Sequence, residues 1–370
     1  MENGATMEGL VMKQFADTYR DRSVLITGHT GFKGSWLSLW LAELGARVSG
    51  LALLPETNPN HWNLLDLEIN DHRIDVRNSD GVTKLVAEIQ PEIVFHLAAQ
   101  PLVRRSYRDP LETWSTNVMG TANVLDACRK ISGVQAIIVV TTDKVYENQE
   151  WPWGYRERDR IGGHDPYSAS KAATELLTDS YRKSFFNRPD ALLLATARAG
   201  NVIGGGDWSE DRLIPDLFRA VEAGIPLEIR SPGATRPWQH VLECLSGYLL
   251  LGQKLLEGNR ECADAWNFGP EIDSNRNVAE VLTRLQEYWT GLSWTVTTQS
   301  QPHETSMLYL DSAMAKARLG WQPVWSLQEA LAATAGWYHA FKTGNSSISR
   351  DQLTAFIAAA NSKKIGWVEK

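Results

Sequence analysis

The chain is predicted to be an α/β protein with a doubly wound parallel sheet, followed by a smaller mixed α/β C-terminal domain. Five short apolar runs alternate with helical patterns from residue 23 to residue 200, and a glycine-rich turn follows the first run. Apolar runs without strict alternation are typical of strands buried on both faces of a parallel sheet. The predicted strands are residues 24–27, 47–53, 93–98, 136–141 and 192–197.

The segment GSWLSLWLAELG, between the first two strands, predicts a helix with one apolar stripe. Gly45 suits the C-terminal cap of that helix. Its apolar residues recur at helical spacing, namely Trp36, Leu37, Trp40, Leu41 and Leu44. Repeated units of strand and helix are the pattern of a doubly wound sheet.

The strand–helix pattern stops after Gly200, where glycines 204–206 and several prolines interrupt it. We therefore predict a leader over residues 1–22 and a dinucleotide-binding domain over residues 23–200. A return segment around residues 239–262 is expected to rejoin that domain. Most of residues 201–370 would form the substrate-binding domain.

Composition excludes several classes of protein. The formal net charge is −7, so a generally basic surface for nucleic acid or anionic membrane is absent. Cys128, Cys244 and Cys262 are too few and too scattered for a disulfide framework or a thiolate metal site. Together with the lack of histidine pairs at ligand spacing, this predicts a protein without a bound metal. No membrane segment or signal peptide is recognisable, so a soluble cytoplasmic protein is expected.

A phosphate-binding turn is predicted in TGHTGFKGSWL, where Gly28, Gly31 and Gly34 are spaced three apart after the first strand. Glycines there let the backbone approach a pyrophosphate, and the N–H groups of the following helix favour its negative charge. A tight turn with close helix packing would explain the glycines equally well. The strand before and the helix after favour the cofactor, which we expect to be NAD in a Rossmann-type site.

Other cofactor contacts are predicted around this turn. Asp75 follows a short predicted strand and could accept a hydrogen bond from the adenine amino group, or it could be a solvated carboxylate in a turn. HLAAQ ends the third strand with small residues, which would let the backbone lie against the cofactor, although two alanines packed against a neighbouring helix would give the same pattern. The full set of predicted cofactor residues is Gly28, Gly31, Phe32, Gly34, Asp75, Val76, Leu97, Ala98, Ala99, Thr116, Thr141, Tyr167 and Lys171.

One feature that distinguishes NAD from NADP is absent. Sheets selective for NAD often carry an acid after the second strand, where it binds the ribose 2′-hydroxyl. Here that stretch reads SGLALLPET, with no acid before Glu56 and no arginine for a 2′-phosphate. The choice of NAD over NADP therefore does not rest on this contact.

Tyr167 and Lys171 form a candidate catalytic pair in DPYSASKAATELL. A spacing of four puts both on one face of a helix. Tyrosine has an ordinary pKa of about 10, and a nearby ammonium lowers it by stabilising phenolate. The alternative is a surface pair on an ordinary helix. The upstream glycine turn and the small residues between the pair favour catalysis.

Thr142, Asp143 and Lys144 follow the fully apolar strand at residues 136–141. In open α/β sheets, ligands bind at the carboxyl ends of the strands. A hydroxyl, an acid and an amine in succession at such an end predict catalytic groups. Polar residues are also common where any strand meets a loop, so packing remains the competing interpretation.

The motifs TGHTGFKGSWL, TTDKVYENQEW, GYRERDRIGGHDPYSASKAATEL, RAGNVIGGGDW and RPWQHVLECLSGY resemble the extended short-chain dehydrogenase/reductase family. Within it they most resemble the CDP-glucose 4,6-dehydratases. The resemblance extends from about Arg22 to the LGWQP segment. It implies a hydro-lyase that converts CDP-glucose to CDP-4-dehydro-6-deoxyglucose with NAD.

The resemblance also implies a role for each catalytic residue. Tyr167, with Lys171 and Thr142, would take the proton of the glucose 4-hydroxyl during oxidation at C4. Asp143 would be the general acid for water leaving C6. Lys144 stands where relatives acting on dTDP-glucose have glutamate, so it is either the base at C5 or a group that orients Asp143 or stabilises an enolate.

The remaining assignments concern the substrate and the oligomer. The resemblance implies that Asn201, Arg212 and Arg236 meet the diphosphate, and the arginines are donors suited to phosphate oxygens, although either alone could form a surface ion pair. It also implies that Gln100, Arg104, Tyr107 and Tyr309 line the substrate pocket. Apolar stripes after Pro110 and along the helix of Tyr167 resemble the four-helix dimer interface of relatives, although the same stripes could face the sheet.

Three alternatives stay open. A sugar-nucleotide 4-epimerase would share the tyrosine–lysine pair and NAD, but it does not need Asp143 and Lys144. A dehydratase could act on a different nucleotide sugar, because no residue dictates cytosine from first principles. A cofactor-sensing binding protein with a degenerate site is a third possibility, against which intact Thr142, Tyr167 and Lys171 argue.

Overall fold

Strands and helices alternate along the chain, and the computed structural model describes residues 13–297, 305–344 and 348–369. The strands are β1 (Lys13–Gln14), β2 (Ser23–Thr27), β3 (Arg47–Ala52), β4 (Asn70–Arg73), β5 (Ile93–His96), β6 (Ala136–Val140), β7 (Leu193–Ala199), β8 (Val202–Ile203), β9 (Leu227–Ile229), β10 (Thr235–Pro237), β11 (Gln239–His240), β12 (Ala265–Phe268), β13 (Asn275–Asn277), β14 (Trp294–Val296) and β15 (Val368–Glu369). The α-helices are α1 (Phe32–Glu43), α2 (His61–Leu65), α3 (Ser79–Ile89), α4 (Val103–Arg108), α5 (Pro110–Trp114), α6 (Gly120–Cys128), α7 (Pro166–Ser184), α8 (Leu213–Ala223), α9 (Val241–Leu256), α10 (Val278–Leu285), α11 (Leu327–Lys342) and α12 (Ile348–Ser362).

Seven parallel strands form the central sheet, in the order β12-β7-β6-β5-β2-β3-β4. The order reverses direction beside β2, as in a doubly wound sheet, so the predicted fold class is confirmed. All five predicted strands are present within two residues of their predicted ends. The sheet places the ends of β2, β5, β6 and β7 along one edge.

Both faces of the sheet are buried, which explains the apolar runs. Side chains alternate between faces along a strand, so Val24 and Ile26 face one helical layer while Leu25 faces the other. The first layer contains α1 and α9, and the second contains α3 and α6. Parallel strands covered on both faces in this way read as continuous apolar sequence.

The edge strand β12 comes from far along the chain. It pairs with β7 through Ala265–Phe268, and α9 precedes it with nearly every residue buried. The chain thus returns to the sheet after crossing the C-terminal region. The proposed boundaries of the leader, the dinucleotide-binding domain and the substrate-binding domain remain predictions.

Helix α1 has no solvent-facing side over its central turns. Residues 34–41 are all buried, Ser35 and Ser38 included, so the prediction of a helix with one apolar stripe was incomplete. The C-terminal part of the chain covers the second face: Trp40 contacts Phe356 and Trp367 edge-on. The Ser38 hydroxyl donates to the Gly34 carbonyl, which satisfies it inside the helix.

The two ends of the described chain meet beside α1. Strands β1 and β15 pair antiparallel, and the rings of Phe15 and Trp367 stack with centroids 5.0 Å apart. Phe15 is fully buried. The described part of the leader, residues 13–22, therefore packs against the sheet domain.

The C-terminal region uses small strand pairs in place of a second large sheet. Parallel pairs join β8 to β11 and β9 to β14, and an antiparallel pair joins β10 to β13. Ser326 precedes helix α11 and caps it, because its hydroxyl and Glu329 form a reciprocal cap. Among the described helices, none is both long and apolar enough to cross a membrane.

One long helical stretch contains an irregular turn. Helices α5 and α6 are joined by a π-helical turn over Ser115–Met119. Such a turn holds one residue more than the regular helix and is frequent at functional sites. It places Asn117, whose amide donates to the Gln100 carbonyl and to the Ser170 hydroxyl of α7 at 3.1 and 2.9 Å.

We expect the His61→Gln variant to lose less stability than the unchanged protein as the pH is lowered. His61 is buried between the hydroxyls of Ser35 and Ser349, and burial lowers its pKa from 6.5 to about 3. Below about pH 6.5 the unfolded chain takes up a proton that the folded protein does not, so stability falls as pH falls. The variant should reduce that slope by about 1.4 kcal/mol per pH unit.

Urea unfolding between about pH 4 and pH 7 measures this slope. The exposed His339, changed to glutamine, is the matched control and should leave the slope unchanged. Equal slopes for the unchanged protein and His61→Gln would contradict the prediction.

Candidate active site

A cleft of about 1020 Å³ opens along the edge where the parallel strands end. Except for Tyr309, every residue predicted for the site lines it. These residues are Gly28, Gly31, Phe32, Gly34, Asp75, Val76, Leu97, Ala98, Ala99, Gln100, Arg104, Tyr107, Thr116, Thr141, Thr142, Asp143, Lys144, Tyr167, Lys171, Asn201, Arg212 and Arg236. Their individual roles remain predictions, because lining a cleft does not establish contact with a ligand.

The glycine turn between β2 and α1 fits a bound phosphate. A Cβ on Gly34 would lie 2.0 Å from the Gly28 carbonyl oxygen, and one on Gly28 would lie 2.7 Å from the Ala98 nitrogen. Only glycine permits these close backbone approaches. A Cβ on Gly31 would meet only the Gly28 oxygen, at 3.4 Å, so the space beside Gly31 is open. The N-terminus of α1 therefore faces an open cradle suited to an anion.

Asp75 is held by a neighbour at the adenine end of the predicted cofactor site. Its carboxylate accepts hydrogen bonds from the Arg77 guanidinium, with a shortest distance of 2.6 Å, and from the Arg77 backbone N–H at 2.8 Å. The Arg77 bonds hold the pKa of Asp75 below its ordinary value. The carboxylate is thus ionised and fixed in place.

Helix α7 carries the candidate pair of Tyr167 and Lys171. Asp165 caps the helix by accepting the Ser168 N–H at 2.9 Å, and Pro166 occupies the first turn. Tyr167 and Lys171 are both buried on the face toward the cleft. The Lys171 ammonium donates to the Val140 carbonyl at 3.1 Å, which ties the helix to the end of β6.

The protonation of this pair differs from the prediction. Burial raises the pKa of Tyr167 to about 12, although a hydrogen bond with Thr142 acts in the opposite direction. Burial and then the nearby Lys33 charge lower the pKa of Lys171 to about 8. The expected lowering of the Tyr167 pKa is therefore not seen, because the cost of burying the phenolate outweighs the hydrogen bond with Thr142 and the charge of Arg212.

A 3-10 turn over Asp143–Val145 follows β6 and presents the next three candidates. The Thr142 hydroxyl donates to the Asp143 carboxylate at 2.9 Å and accepts the Lys144 N–H at 3.3 Å. Asp143 is 2% exposed, and its Oδ2 has no hydrogen-bond partner among the described residues. A buried carboxylate oxygen without a donor is costly to folding and is typical of an atom that meets a ligand.

Lys144 is half-buried at the cleft wall. Within the described ranges its ammonium makes neither a hydrogen bond nor an ion pair, and its backbone N–H is held by Thr142. The amine is therefore free to interact with a molecule in the cleft.

Three of the predicted substrate residues already have side-chain partners within the protein. Arg212 lies 3.5 Å from the Asp207 carboxylate, and Arg104 lies 2.9 Å from that of Asp211. The Gln100 side chain is fully engaged with its own loop, bonding Leu102 and Thr113. Gln100 therefore lines the cleft with a side-chain amide that is already hydrogen-bonded within the protein.

Tyr309 lies outside the cleft lining. Its carbonyl accepts the Tyr155 N–H at 3.0 Å, so this segment pairs with the loop that follows the catalytic turn. The prediction placed the tyrosine from the family pattern alone. The backbone pairing holds Tyr309 beside Tyr155.

Several cleft residues were not predicted. Lys33 lies between Gly31 and Gly34, and its positive charge lowers the pKa of Lys171. Arg230 lies 3.8 Å from Asp211. A basic residue within a phosphate-binding turn was the available signal for Lys33. Arg230 had no such signal, because its segment LEIRSPG reads as an ordinary strand end. No group of three His, Cys, Asp or Glu in the described part of the chain could hold a metal.

A family model described as GDP-mannose 4,6 dehydratase matches residues 25–334, most of the chain. The chain belongs to this family. It is 43% identical over 350 residues to the CDP-glucose 4,6-dehydratase of Salmonella typhimurium, covering 92% of this chain and 98% of that protein. The predicted resemblance to nucleotide-sugar dehydratases is therefore confirmed.

More distant relatives share the same architecture. The dTDP-glucose 4,6-dehydratase of Xanthomonas campestris is 28% identical, over 85% of this chain and 92% of that protein. The solved UDP-glucose 4-epimerase of Thermus thermophilus in complex with NAD is 25% identical, with a TM-score of 0.74 over 85% of this chain and 98% of that one.

We expect Asp143→Asn to stabilise the ligand-free protein. The substitution removes the charge from a buried carboxylate whose Oδ2 lacks a partner in the described structure, and the free energy of unfolding should rise by about 1 kcal/mol. Asp207→Asn is the matched control, because that buried carboxylate is satisfied by Arg212 and the Ser209 N–H. The Asp207→Asn variant should instead be less stable than the unchanged protein. Urea unfolding measures the free energy of unfolding of both variants, and an equal decrease in the two would contradict the prediction.

Proposed function

We propose that the protein converts CDP-D-glucose to CDP-4-dehydro-6-deoxy-D-glucose, using NAD that is regenerated within each turnover. The observation that carries the proposal is the pairing of two groups at one cleft edge. Tyr167 and Lys171 are suited to oxidation at C4, while Asp143 and Lys144 are suited to elimination across C5 and C6. The choice of cytidine rests on the 43%-identical relative from Salmonella typhimurium.

The residues of the glycine turn fit NAD. The open cradle beside Gly31 and the N-terminus of α1 would hold the pyrophosphate, and Asp75 would accept from the adenine amino group. When bound, NAD supplies a cationic ring that accepts a hydride from C4 of the sugar and returns it at C6. Close approach of the Ala98 backbone to Gly28 keeps that end of the cleft narrow.

Tyr167 would take the proton of the 4-hydroxyl. Its phenol holds its own proton at neutral pH in the ligand-free protein, so it needs the added positive charge of the bound cofactor. The hydrogen bond with Thr142 and the charge of Arg212 act in the same direction. Proton transfer by a placed side chain of this kind contributes about 10²–10⁴ in rate.

Asp143 would protonate the hydroxyl that leaves C6, and Lys144 would act at C5. The 4-ketone makes the C5 proton acidic, which is why oxidation must precede elimination. Asp143 Oδ2 has no donor within the described structure and Oδ1 is held by Thr142, so a single oxygen is presented to the substrate. Lys144 either removes the C5 proton or stabilises the enolate that its removal leaves.

The diphosphate would lie among the arginines of the cleft. Arg104 of α4, Arg212 and Arg236 all line it. Guanidinium groups match phosphate oxygens in charge and in geometry. Asp207 and Asp211 already hold two of these arginines in place.

We also infer that the protein is a cytoplasmic homodimer. Large apolar side chains are exposed on α7 and on the neighbouring α5–α6 stretch, with Leu111 80%, Met119 57% and Leu176 63% exposed. Such a cluster on adjacent helices is characteristic of an interface. A second copy of the same helices would complete a four-helix packing.

The nucleotide panel is the direct test of the substrate. CDP-, dTDP-, UDP- and GDP-glucose are supplied separately, and formation of a 4-keto-6-deoxy sugar is followed by mass spectrometry. We expect turnover with CDP-glucose to exceed the others by roughly 10-fold or more, as one base-specific contact provides. A product that keeps oxygen at C6 would favour the 4-epimerase, and no turnover of any sugar would favour a binding protein.

We expect Lys144→Met to separate the two halves of the reaction. Oxidation at C4 should proceed, so the near-ultraviolet absorbance of reduced nicotinamide should accumulate. Product formation should fall by about 100-fold or more, since a proton-transfer group is lost. Lys84→Met, an exposed lysine on α3, is the control and should keep full turnover. Normal turnover by Lys144→Met would eliminate the proposed role.

We expect Leu111→Glu combined with Met119→Glu to give a monomer. Carboxylates in an apolar interface remain desolvated and unpaired, which opposes association. Light scattering after gel filtration measures the mass. Ile272→Glu, at a residue 77% exposed elsewhere, is the matched control and should stay dimeric. An unchanged mass for the double variant would exclude this surface as the interface.

A further inference from the structure

A buried ion pair joins α7 to β7 directly behind the cleft. Glu175 and Arg198 are 4% and 2% exposed. The Arg198 guanidinium donates to both carboxylate oxygens of Glu175, from Nε and Nη2, each at 2.9 Å. The Thr196 hydroxyl donates to the same carboxylate at 2.7 Å, and so does the Thr141 hydroxyl.

Folding alone does not account for this pair. Removing two charges from water is costly, and apolar residues of similar volume are often at least as stabilising. Ile138, Ala195 and Ala197 are fully buried on the opposite face of the sheet, so the polar groups that hold the pair are confined to its own face. A fully satisfied ion pair at such a position indicates a role for its charge or for its geometry.

The pair contacts the catalytic groups through their immediate neighbours. Glu175 follows Lys171 by one helical turn, and Thr141 directly precedes Thr142. On the other side, Arg198 Nη1 donates to the Tyr146 hydroxyl at 2.8 Å, and Tyr146 follows Lys144 by two residues. The segment from Thr142 to Lys144 is therefore anchored at both ends to one ion pair.

Glu175 also counters the electrostatic surroundings of Lys171. Burial and the Lys33 ammonium of α1 both lower the pKa of Lys171, and the Glu175 carboxylate raises it. His96 of β5 also faces the ammonium, but burial lowers the pKa of that imidazole to about 3, so it is neutral. Burial opposes the charge of Glu175, but the Arg198 charge and the hydrogen bonds from Arg198, Thr141 and Thr196 hold the pKa of Glu175 below its ordinary value.

We propose that Glu175, fixed by Arg198, is a positioning residue that holds a negative charge one helical turn from Lys171 and ties helix α7 to the strand end bearing Thr142 and Asp143. The expected effect on turnover rests on the proposed function, in which a protonated Lys171 assists oxidation at C4. The state of Lys171 itself does not depend on which sugar is the substrate.

Glu175→Gln tests the charge while preserving the shape. The charge is removed beside a buried ammonium, so the pKa of Lys171 should fall from about 8 by about one unit. The titration is followed by NMR of the ligand-free protein with ¹³C-labelled lysine, and Lys171→Arg identifies the signal. In turnover, the alkaline limb of the rate profile should move to lower pH, with KM unchanged.

Glu243→Gln is the control for loss of a buried carboxyl group that does not act on Lys171; burial raises the pKa of Glu243 to about 8, so this group is largely uncharged at neutral pH. Glu243 is equally buried on α9, but its carboxylate accepts the N–H groups of Val324 and Trp325. It should lower stability without shifting the Lys171 titration. If Glu175→Gln does not fold, Glu175→Gln combined with Arg198→Met removes both charges together and should shift the titration equally.

An unchanged Lys171 titration in the Glu175 variants would overturn the proposal, as would an equal shift in Glu243→Gln. The two hypotheses fail separately. Lack of turnover with CDP-glucose by the unchanged protein would reject the proposed function, and the NMR titration would still decide the role of Glu175.

Discussion

The parallel pairing of β6 with β5 and β7 is the constraint on which the site depends. It brings the residue after each strand to the same edge, so Leu97, Thr141 and Gly200 line one cleft although they are far apart in sequence. Helix α7 is then held against this edge by the Lys171 bond to Val140 and the Glu175 bond to Thr141. Every candidate catalytic group is placed by these few contacts.

The cost of burial explains the electrostatics of the cleft. A phenol, an ammonium and a carboxylate lie within a desolvated wall, and burial is the largest influence on the pKa of both Tyr167 and Lys171. An oxygen of Asp143 lacks a donor in the described structure. Burying these groups lowers the stability of the folded protein, and the packing of the surrounding apolar sheet must compensate for that loss.

Local spacing predicted most of the fold and of the cleft, because it depends only on neighbouring residues. The glycines of the first turn and the interval from Tyr167 to Lys171 are features of this kind. Contacts between distant segments had no local signal. Strand β12 is four residues long and joins the sheet from far along the chain. The partner of Glu175 lies on another element, and the segment that covers the second face of α1 lies some three hundred residues away.

The π-helical turn at Ser115–Met119 has a consequence for how this protein can change. Because it accommodates one residue beyond a regular helix, everything after it is rotated by about 100° relative to an uninterrupted helix. Within the turn, Thr116 lines the cleft and Met119 is exposed. A single-residue deletion here would be absorbed as a regular helix and would turn Asn117 away from Ser170. Length variation among natural homologues should therefore avoid this turn and accumulate in the surface loops.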